Sequence, residues 1–236
     1  MTAAKTNRKP KRKPKRVMIV DDHPMTRDGL ALLIDREPDL IVAWQAENAA
    51  QALRTVAAEE PDLALVDITL PDKGGIELIK DMKALRPALV VLVVSMHDES
   101  LYAERALRAG ARGYITKQEG GAKLMLAIRQ VLAGQIYVSE KTSARIVEIF
   151  SGQHSAAQER SPVAQLSDRE FEVFQLIGQG LAPQEAGARL NICAKTVDAH
   201  RLNIKSKLGL GTAAELIAYA ARWASSQTGG GTPGSR

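Results

Sequence analysis

A single cysteine, Cys193, stands among the 236 residues. No disulfide can form within the chain, which fits a reducing compartment such as the cytoplasm. No apolar run approaches the roughly 18 residues that a membrane-spanning helix needs. The basic N-terminus lacks the apolar core of a secretory signal, so no membrane partner is expected. No Gly-x-Gly-x-x-Gly follows the first apolar run, which argues against a dinucleotide site. Acid is missing from residues 1–16, which hold eight Lys or Arg. Residues 17–134 reverse the balance with 13 bases and 18 acids. The formal net charge of +5 therefore originates in the tail, and overall basicity alone is weak evidence for a nucleic-acid partner.

What is present divides the chain into five parts. Residues 1–16 read as a disordered basic tail. It either contacts DNA phosphates or simply keeps the protein dispersed. Residues 17–134 alternate short apolar runs with amphipathic stretches. Strands are predicted at Val17–Val20, Leu40–Trp44, Leu63–Val66, Leu89–Val94 and Gly113–Ile115. Helices are predicted at Pro24–Arg36, Ala49–Ala58, Gly75–Leu85, Ser100–Ala109 and Ala122–Leu132. That alternation implies a parallel sheet covered by helices on both faces. Residues 135–165 read as a connecting helix, Ser139–Phe150, and a flexible linker. Residues 166–224 show no strand signal and four helical patterns. The tail from Ser225 reads as disordered.

Chemistry gathers at the strand ends. The first strand ends in Asp21-Asp22, the third in Asp67, the fourth at Ser95 and the fifth just before Lys117. In an open α/β sheet these ends lie along one edge. Three carboxylates there form a hard oxygen site suited to Mg²⁺. Lys117 adds a point charge for a phosphoryl oxygen and Ser95 a hydroxyl donor, which is what phosphoryl transfer requires.

The pieces Val20-Asp21-Asp22-His23, Val66-Asp67-Ile68-Thr69-Leu70-Pro71 with Gly74-Gly75, Val94-Ser95 and Gly113-Tyr114-Ile115-Thr116-Lys117 resemble the receiver domain of bacterial two-component response regulators. The resemblance implies a flavodoxin-like five-stranded parallel sheet, with Asp67 as phosphoacceptor for a sensor histidine kinase. It implies Mg²⁺ held by Asp21, Asp22, Asp67 and the Thr69 carbonyl. It implies that Ser95 turns to the phosphate and Tyr114 rotates inward behind it, with Thr69 and His97 tuning phosphoryl lifetime.

In the C-terminal part, Ser167-Asp168-Arg169-Glu170 is a capping box. Pro183–Leu190, a tight turn and Ala194–Leu208 have helix-turn-helix proportions, with small Gly187 at the crossing. Lys195, Thr196, Asp198, His200, Arg201, Asn203, Lys205 and Lys207 give the second helix a polar face fit for a major groove. The block from Leu166 to Gly209 is similar to the LuxR-type DNA-binding domain, and receiver plus this domain is the NarL/FixJ arrangement. The resemblance places Asp198, Ala199 and Leu202 towards bases, and Lys195, Thr196, His200 and Lys205 near phosphates of double-stranded DNA. It assigns a homodimer contact to Thr212–Trp223, to the receiver, or to both. Ala182 and Cys193 stand where the family often has a capping Ser or Thr, and Asp198 where it often has Lys.

The reading is a transcriptional regulator rather than an enzyme, with the acidic receiver expected to mask the recognition helix or the dimer surface until Asp67 is modified. Two other readings stay open. The receiver could serve as a phosphate-independent interaction module. An Asp-nucleophile phosphatase would usually carry an acid two residues after Asp67, where Thr69 stands.

Overall fold

The structure, a computed structural model, describes residues 13–140, 142–144, 162–190 and 192–228. Five strands alternate with five helices: β1 (Lys15–Val20), α1 (Pro24–Ile34), β2 (Leu40–Ala46), α2 (Ala49–Ala58), β3 (Leu63–Val66), α3 (Gly75–Leu85), β4 (Val90–Ser95), α4 (Glu99–Ala109), β5 (Gly113–Thr116) and α5 (Gly121–Leu132). All strand pairs are parallel, in the order β2-β1-β3-β4-β5. Continuous apolar runs form the inner strands because both sheet faces are covered. On one face Ile34 of α1 and Leu124, Ala127, Ile128 and Val131 of α5 pack against Ile19, Leu65 and Leu92. On the other, Val56 of α2, Ile79 and Met82 of α3 and Ala103 of α4 pack against Met18, Ala64 and Val91. Strand order reverses direction between β1 and β3, so the ends of β1, β3 and β5 border one crevice.

The basic tail does not extend to residue 16 as expected. Lys15 and Arg16 belong to β1, where Lys15 pairs with Asp62 at 2.6 Å and the Arg16 guanidinium lies 5.2 Å from the Trp44 ring centroid. Two cations inside a charge run are absorbed by partners that are distant in sequence. Residues 1–12 lie outside the described residues, as does most of the expected Ser139–Phe150 helix, of which 140 and 142–144 are helical. The linker is described only from Pro162, where a 3₁₀ turn runs to Gln165.

Four helices follow: α6 (Asp168–Gly178), α7 (Pro183–Arg189), α8 (Ala194–Leu208) and α9 (Ala213–Thr228). The capping box forms as read: Glu170 N–H donates to Ser167 Oγ at 3.3 Å and Ser167 N–H to Glu170 Oε2 at 2.7 Å. α9 continues to Thr228, past the expected end at Trp223, so residues 225–228 are helical rather than tail. Phe171, Val173, Phe174, Val197, Ile204, Leu216 and Ala220 form the core of this bundle. Neither Ala182 nor Cys193 makes a side-chain cap, as their residue types dictate. At Ala182 only the returning half of a capping box exists, the Ala182 N–H donating to Glu185 at 2.8 Å. Ala182→Ser supplies the missing acceptor and should stabilise the bundle by about 1 kcal/mol, read as a higher thermal midpoint of the C-terminal part.

Candidate functional site

β1 delivers Asp21 and Asp22 to the crevice, β3 delivers Asp67, and β5 ends one residue before Lys117. Gly75 brings α3 in close behind Asp67. A Cβ there would strike the Asp67 carbonyl oxygen and come within 2.6 Å of Ile68 Cα. The Gly75 N–H donates to the Ile68 carbonyl at 2.7 Å, which fixes the turn after the strand. Asp67 and Asp21 are buried, 5% and 2% exposed, and the Lys117 ammonium bridges their carboxylates at 2.6 Å each. Burial raises the Asp67 pKa, with the Lys117 charge opposing that rise and Asp21 adding to it. For Lys117, burial works against the ammonium, but the two carboxylates outweigh it and its pKa rises.

Asp21, Asp22, His23 and Asp67 place one donor atom each within 4.8 Å of one another. His23 is a member that sequence reasoning did not assign, since an exposed His beside two acids gives no signal of its own. Asp21 Oδ1 accepts from the His23 N–H at 2.9 Å. Asp22 Oδ1 is enclosed and makes no hydrogen bond, although His23 Nδ1 stands 2.7 Å away. An enclosed carboxylate oxygen with no hydrogen is a cost unless a cation faces it. The donor set is oxygen-rich and so fits a hard divalent cation.

Four further residues expected at the site, Ser95, Thr69, His97 and Tyr114, are brought together on its β4 side. Ser95 is fully buried, and its Oγ accepts from the His97 N–H at 3.3 Å. The Thr69 N–H donates to Asp67 Oδ1 at 3.3 Å, and Thr69 Oγ1 lies 2.8 Å from His97 Nε2. Burial lowers the His97 pKa despite the attraction of Asp67. The Tyr114 ring already lies inward, 1% exposed, with its hydroxyl donating to the His97 carbonyl at 2.9 Å. The outward starting position implied by an inward rotation is not the one seen. Burial also raises the Tyr114 pKa.

The DNA-facing candidates all lie on α8. Lys195, Asp198, Ala199, Leu202 and Asn203 are exposed, and Thr196, His200 and Lys205 are partly covered. Leu202 is 65% exposed, so its side chain is largely free of packing within the chain. Two bases in this helix are engaged elsewhere: Arg201 pairs with Asp198 at 3.0 Å and Lys207 with Glu170 at 2.7 Å. Gly187 lies where α7 meets the turn, and Val197 is fully buried in the angle with Leu190 and Ile192 packed around it.

The expected masking is absent from this arrangement. The receiver part leaves the α8 recognition face open, along with Ala213, Ala214, Ile217 and Ala218 of α9. It docks instead on α6, through Lys80 on α3, Tyr102 and Arg105 on α4, and Asp168, Phe171 and Gln175 on α6, of which Asp168 stood out in sequence only as part of the capping box. Trp223, expected in a dimer contact, packs on Phe171 and Phe174 with centroids 5.6 and 5.4 Å away.

Residues 17–129 match the family described as response regulator receiver domain, and residues 164–220 match the bacterial regulatory proteins of the luxR family. The oxygen regulatory protein NreC of Staphylococcus aureus is 33% identical over 208 residues, covering 87% of this chain and 96% of that protein. A LuxR-family two-component response regulator from Aurantimonas sp. SI85-9A1 is 37% identical in structure-based alignment, with a TM-score of 0.54 over 59% of this chain and 99% of that one. RcsB of Salmonella typhimurium, 23% identical, superposes with a TM-score of 0.65 over 89% of this chain and 98% of that one, which speaks to fold alone. Among the described residues no helix is long and apolar enough to cross a membrane. An acidic crevice with its bridging lysine, followed by a helix-turn-helix bundle and matched along nearly its whole length by such relatives, places this chain among the DNA-binding two-component response regulators of NarL/FixJ type, with a receiver followed by a LuxR-type helix-turn-helix.

Proposed function

We propose that Asp67 accepts a phosphoryl group from a sensor histidine kinase in the cytoplasm, and that this event controls DNA binding by the C-terminal domain. The observation that supports it most directly is the Lys117 bridge between Asp21 and Asp67 beside the enclosed oxygen of Asp22. An Asp67 carboxylate oxygen attacks phosphorus as the bond to the kinase histidine breaks, and the phosphoryl oxygens need positive charge around them. Lys117 supplies one such charge, freed from Asp67 as the carboxylate becomes an acyl phosphate. Ser95 and Tyr114, both buried beside His97, act as the switch, while Thr69 and His97 flank the acceptor. Asp21, Asp22, Asp67 and the Thr69 carbonyl would hold Mg²⁺, which offsets carboxylate repulsion when bound. The receiver spans residues 15–134 and the DNA-binding domain residues 166–228. Lys195, Thr196, His200 and Lys205 meet phosphates, Asp198, Ala199 and Leu202 face base edges, and Asn203 lies on the same DNA-binding face. Two copies bind paired half-sites, dimerising through the open face of α9 or through the receiver. RcsB of Salmonella enterica serovar Typhimurium, which shares the fold, has been solved bound to promoter rprA in the presence of the phosphomimetic BeF3⁻.

Acetyl phosphate with Mg²⁺ should shift the whole protein to a single slower band on a Phos-tag gel, and prior chelation of the metal should abolish the shift. No shift with metal present would leave the receiver as a phosphate-independent interaction module.

A further inference from the structure

The docking of α6 on the receiver reaches the acceptor crevice through one side chain. Asp168 anchors the face, with Oδ2 2.7 Å from Lys80 Nζ and Oδ1 3.0 Å from Arg105 Nη1. The same guanidinium donates to the Leu166 carbonyl at 2.9 Å and lies 4.5 Å from the Phe171 centroid. Beside it Tyr102 is 3% exposed and donates its hydroxyl to Gln175 Oε1. The Tyr102 ring touches Phe171 on one side, centroids 5.3 Å apart, and His97 on the other at 5.0 Å. His97 in turn meets Thr69 Oγ1 at 2.8 Å. A cavity at this seam is lined by Thr69 and His97 from the receiver and by Gln175, Gln179 and Arg189 from the DNA-binding domain. The seam also holds Glu172, whose carboxylate a Cβ at Gly74 would meet.

We infer that the DNA-binding domain sets how long the phosphoryl group stays on Asp67, with Tyr102 and Gln175 as positioning residues for His97. The inference rests on the reading of Asp67 as phosphoacceptor. An aspartyl phosphate is lost when a water oxygen bonds to phosphorus and the P–O bond to the carboxylate breaks. The electron pair returns to Asp67, the water proton passes to solvent and orthophosphate leaves. The rate depends on water reaching the phosphorus in line, past Thr69 and His97. The His97 ring is held from two sides, by the Thr69 hydroxyl and by the Tyr102 ring. Tyr102 is held by Gln175, because a buried hydroxyl without an acceptor is costly. Removing that acceptor turns Tyr102 towards solvent, frees His97 and opens the crevice to water. The signal therefore has a route from acceptor to α6 by direct contact, independent of the connector.

The test follows loss of label from the full-length chain on Phos-tag gels after acetyl phosphate is removed. Tyr102→Leu, which takes the ring away from His97, and Gln175→Leu, which leaves the Tyr102 hydroxyl without its acceptor, should each shorten the half-life about five-fold, the size of one lost hydrogen bond. The double variant should be no faster than the faster single one, because both remove the same contact. Gln175→Glu keeps an acceptor oxygen and should restore the parent half-life, which a general packing defect would not allow. Half-lives within about two-fold of the parent, or singles whose effects multiply in the double variant, would overturn the inference. A parent protein that takes no label at Asp67 would sink the phosphoacceptor reading as well; normal labelling with unchanged half-lives sinks the inference alone.

Discussion

Asp67→Asn should take up no phosphoryl group from acetyl phosphate, a loss of the whole signal rather than a fraction of it, and should do so without unfolding. The amide keeps the shape of the carboxylate and one acceptor for the Thr69 N–H, but it has no anionic oxygen to attack phosphorus. Lys117 keeps its partner Asp21 at 2.6 Å, so no buried cation is orphaned. The stability effect runs in the opposite direction to the functional one. Burial raises the Asp67 pKa above its ordinary 3.8, so the folded state disfavours the ionised form more than the unfolded chain does. A raised carboxylate favours folding at low pH, and that contribution disappears as pH rises through the folded value. The asparagine variant does not titrate there. In metal-free buffer its stability relative to the parent should therefore grow as pH rises from about 4 to 7, read as a widening gap in thermal midpoint. A parent that gains on the variant over that range would show the carboxylate to be stabilised by Lys117 rather than penalised by burial.

Gly187→Ala should remove DNA binding while leaving phosphorylation intact. A Cβ at this position would sit 2.6 Å from the Ile192 carbonyl oxygen and 3.4 Å from the Ala194 nitrogen. Both are backbone atoms and cannot step aside as a flexible side chain could. The Ile192 N–H donates to the Gly187 carbonyl at 2.9 Å, so the clash falls on the hydrogen bond that sets the angle between α7 and α8. Overpacking of this kind costs about 1–3 kcal/mol, and the recognition helix carries its contacts only at that angle. The expected result is a lower thermal midpoint for the C-terminal domain and loss of the gel shift on target DNA, with an unchanged Phos-tag band. A variant that binds DNA as the parent does would mean that the turn relaxes without moving α8.

The fold was legible because period and punctuation agree along the receiver. Apolar runs such as Leu63–Val66 have strand length and end on polar residues, and doubly wound topology then forces Asp21, Asp67 and Lys117 onto one edge whatever lies between them. Gly187 was legible for a related reason: a small residue at a helix crossing has a geometric meaning. Other features were not, because their partners are distant in sequence. Lys15 and Arg16 look like tail until Asp62 and Trp44 are placed beside them. Residues 225–228 are polar enough to read as coil, yet they extend a helix whose inner face is anchored by Trp223. The Tyr102–Gln175 contact is the clearest case. A tyrosine among alanines on α4 fits an ordinary core, and no periodicity shows that its hydroxyl leaves the receiver. The expectation that the acidic receiver masks the recognition helix or the dimer surface named no contact residues, and charge alone does not specify which surface is covered.

The central claim, that a phosphoryl group on Asp67 controls DNA binding, is tested most directly by fluorescence anisotropy on DNA selected by this protein from a random pool. The parent chain and Asp67→Asn would be titrated with and without acetyl phosphate and Mg²⁺. Acetyl phosphate should tighten binding by the parent at least ten-fold, a shift of about 1.4 kcal/mol, and should leave Asp67→Asn unchanged. Equal affinity of the phosphorylated and unphosphorylated parent, or an equal response from the variant, would contradict it.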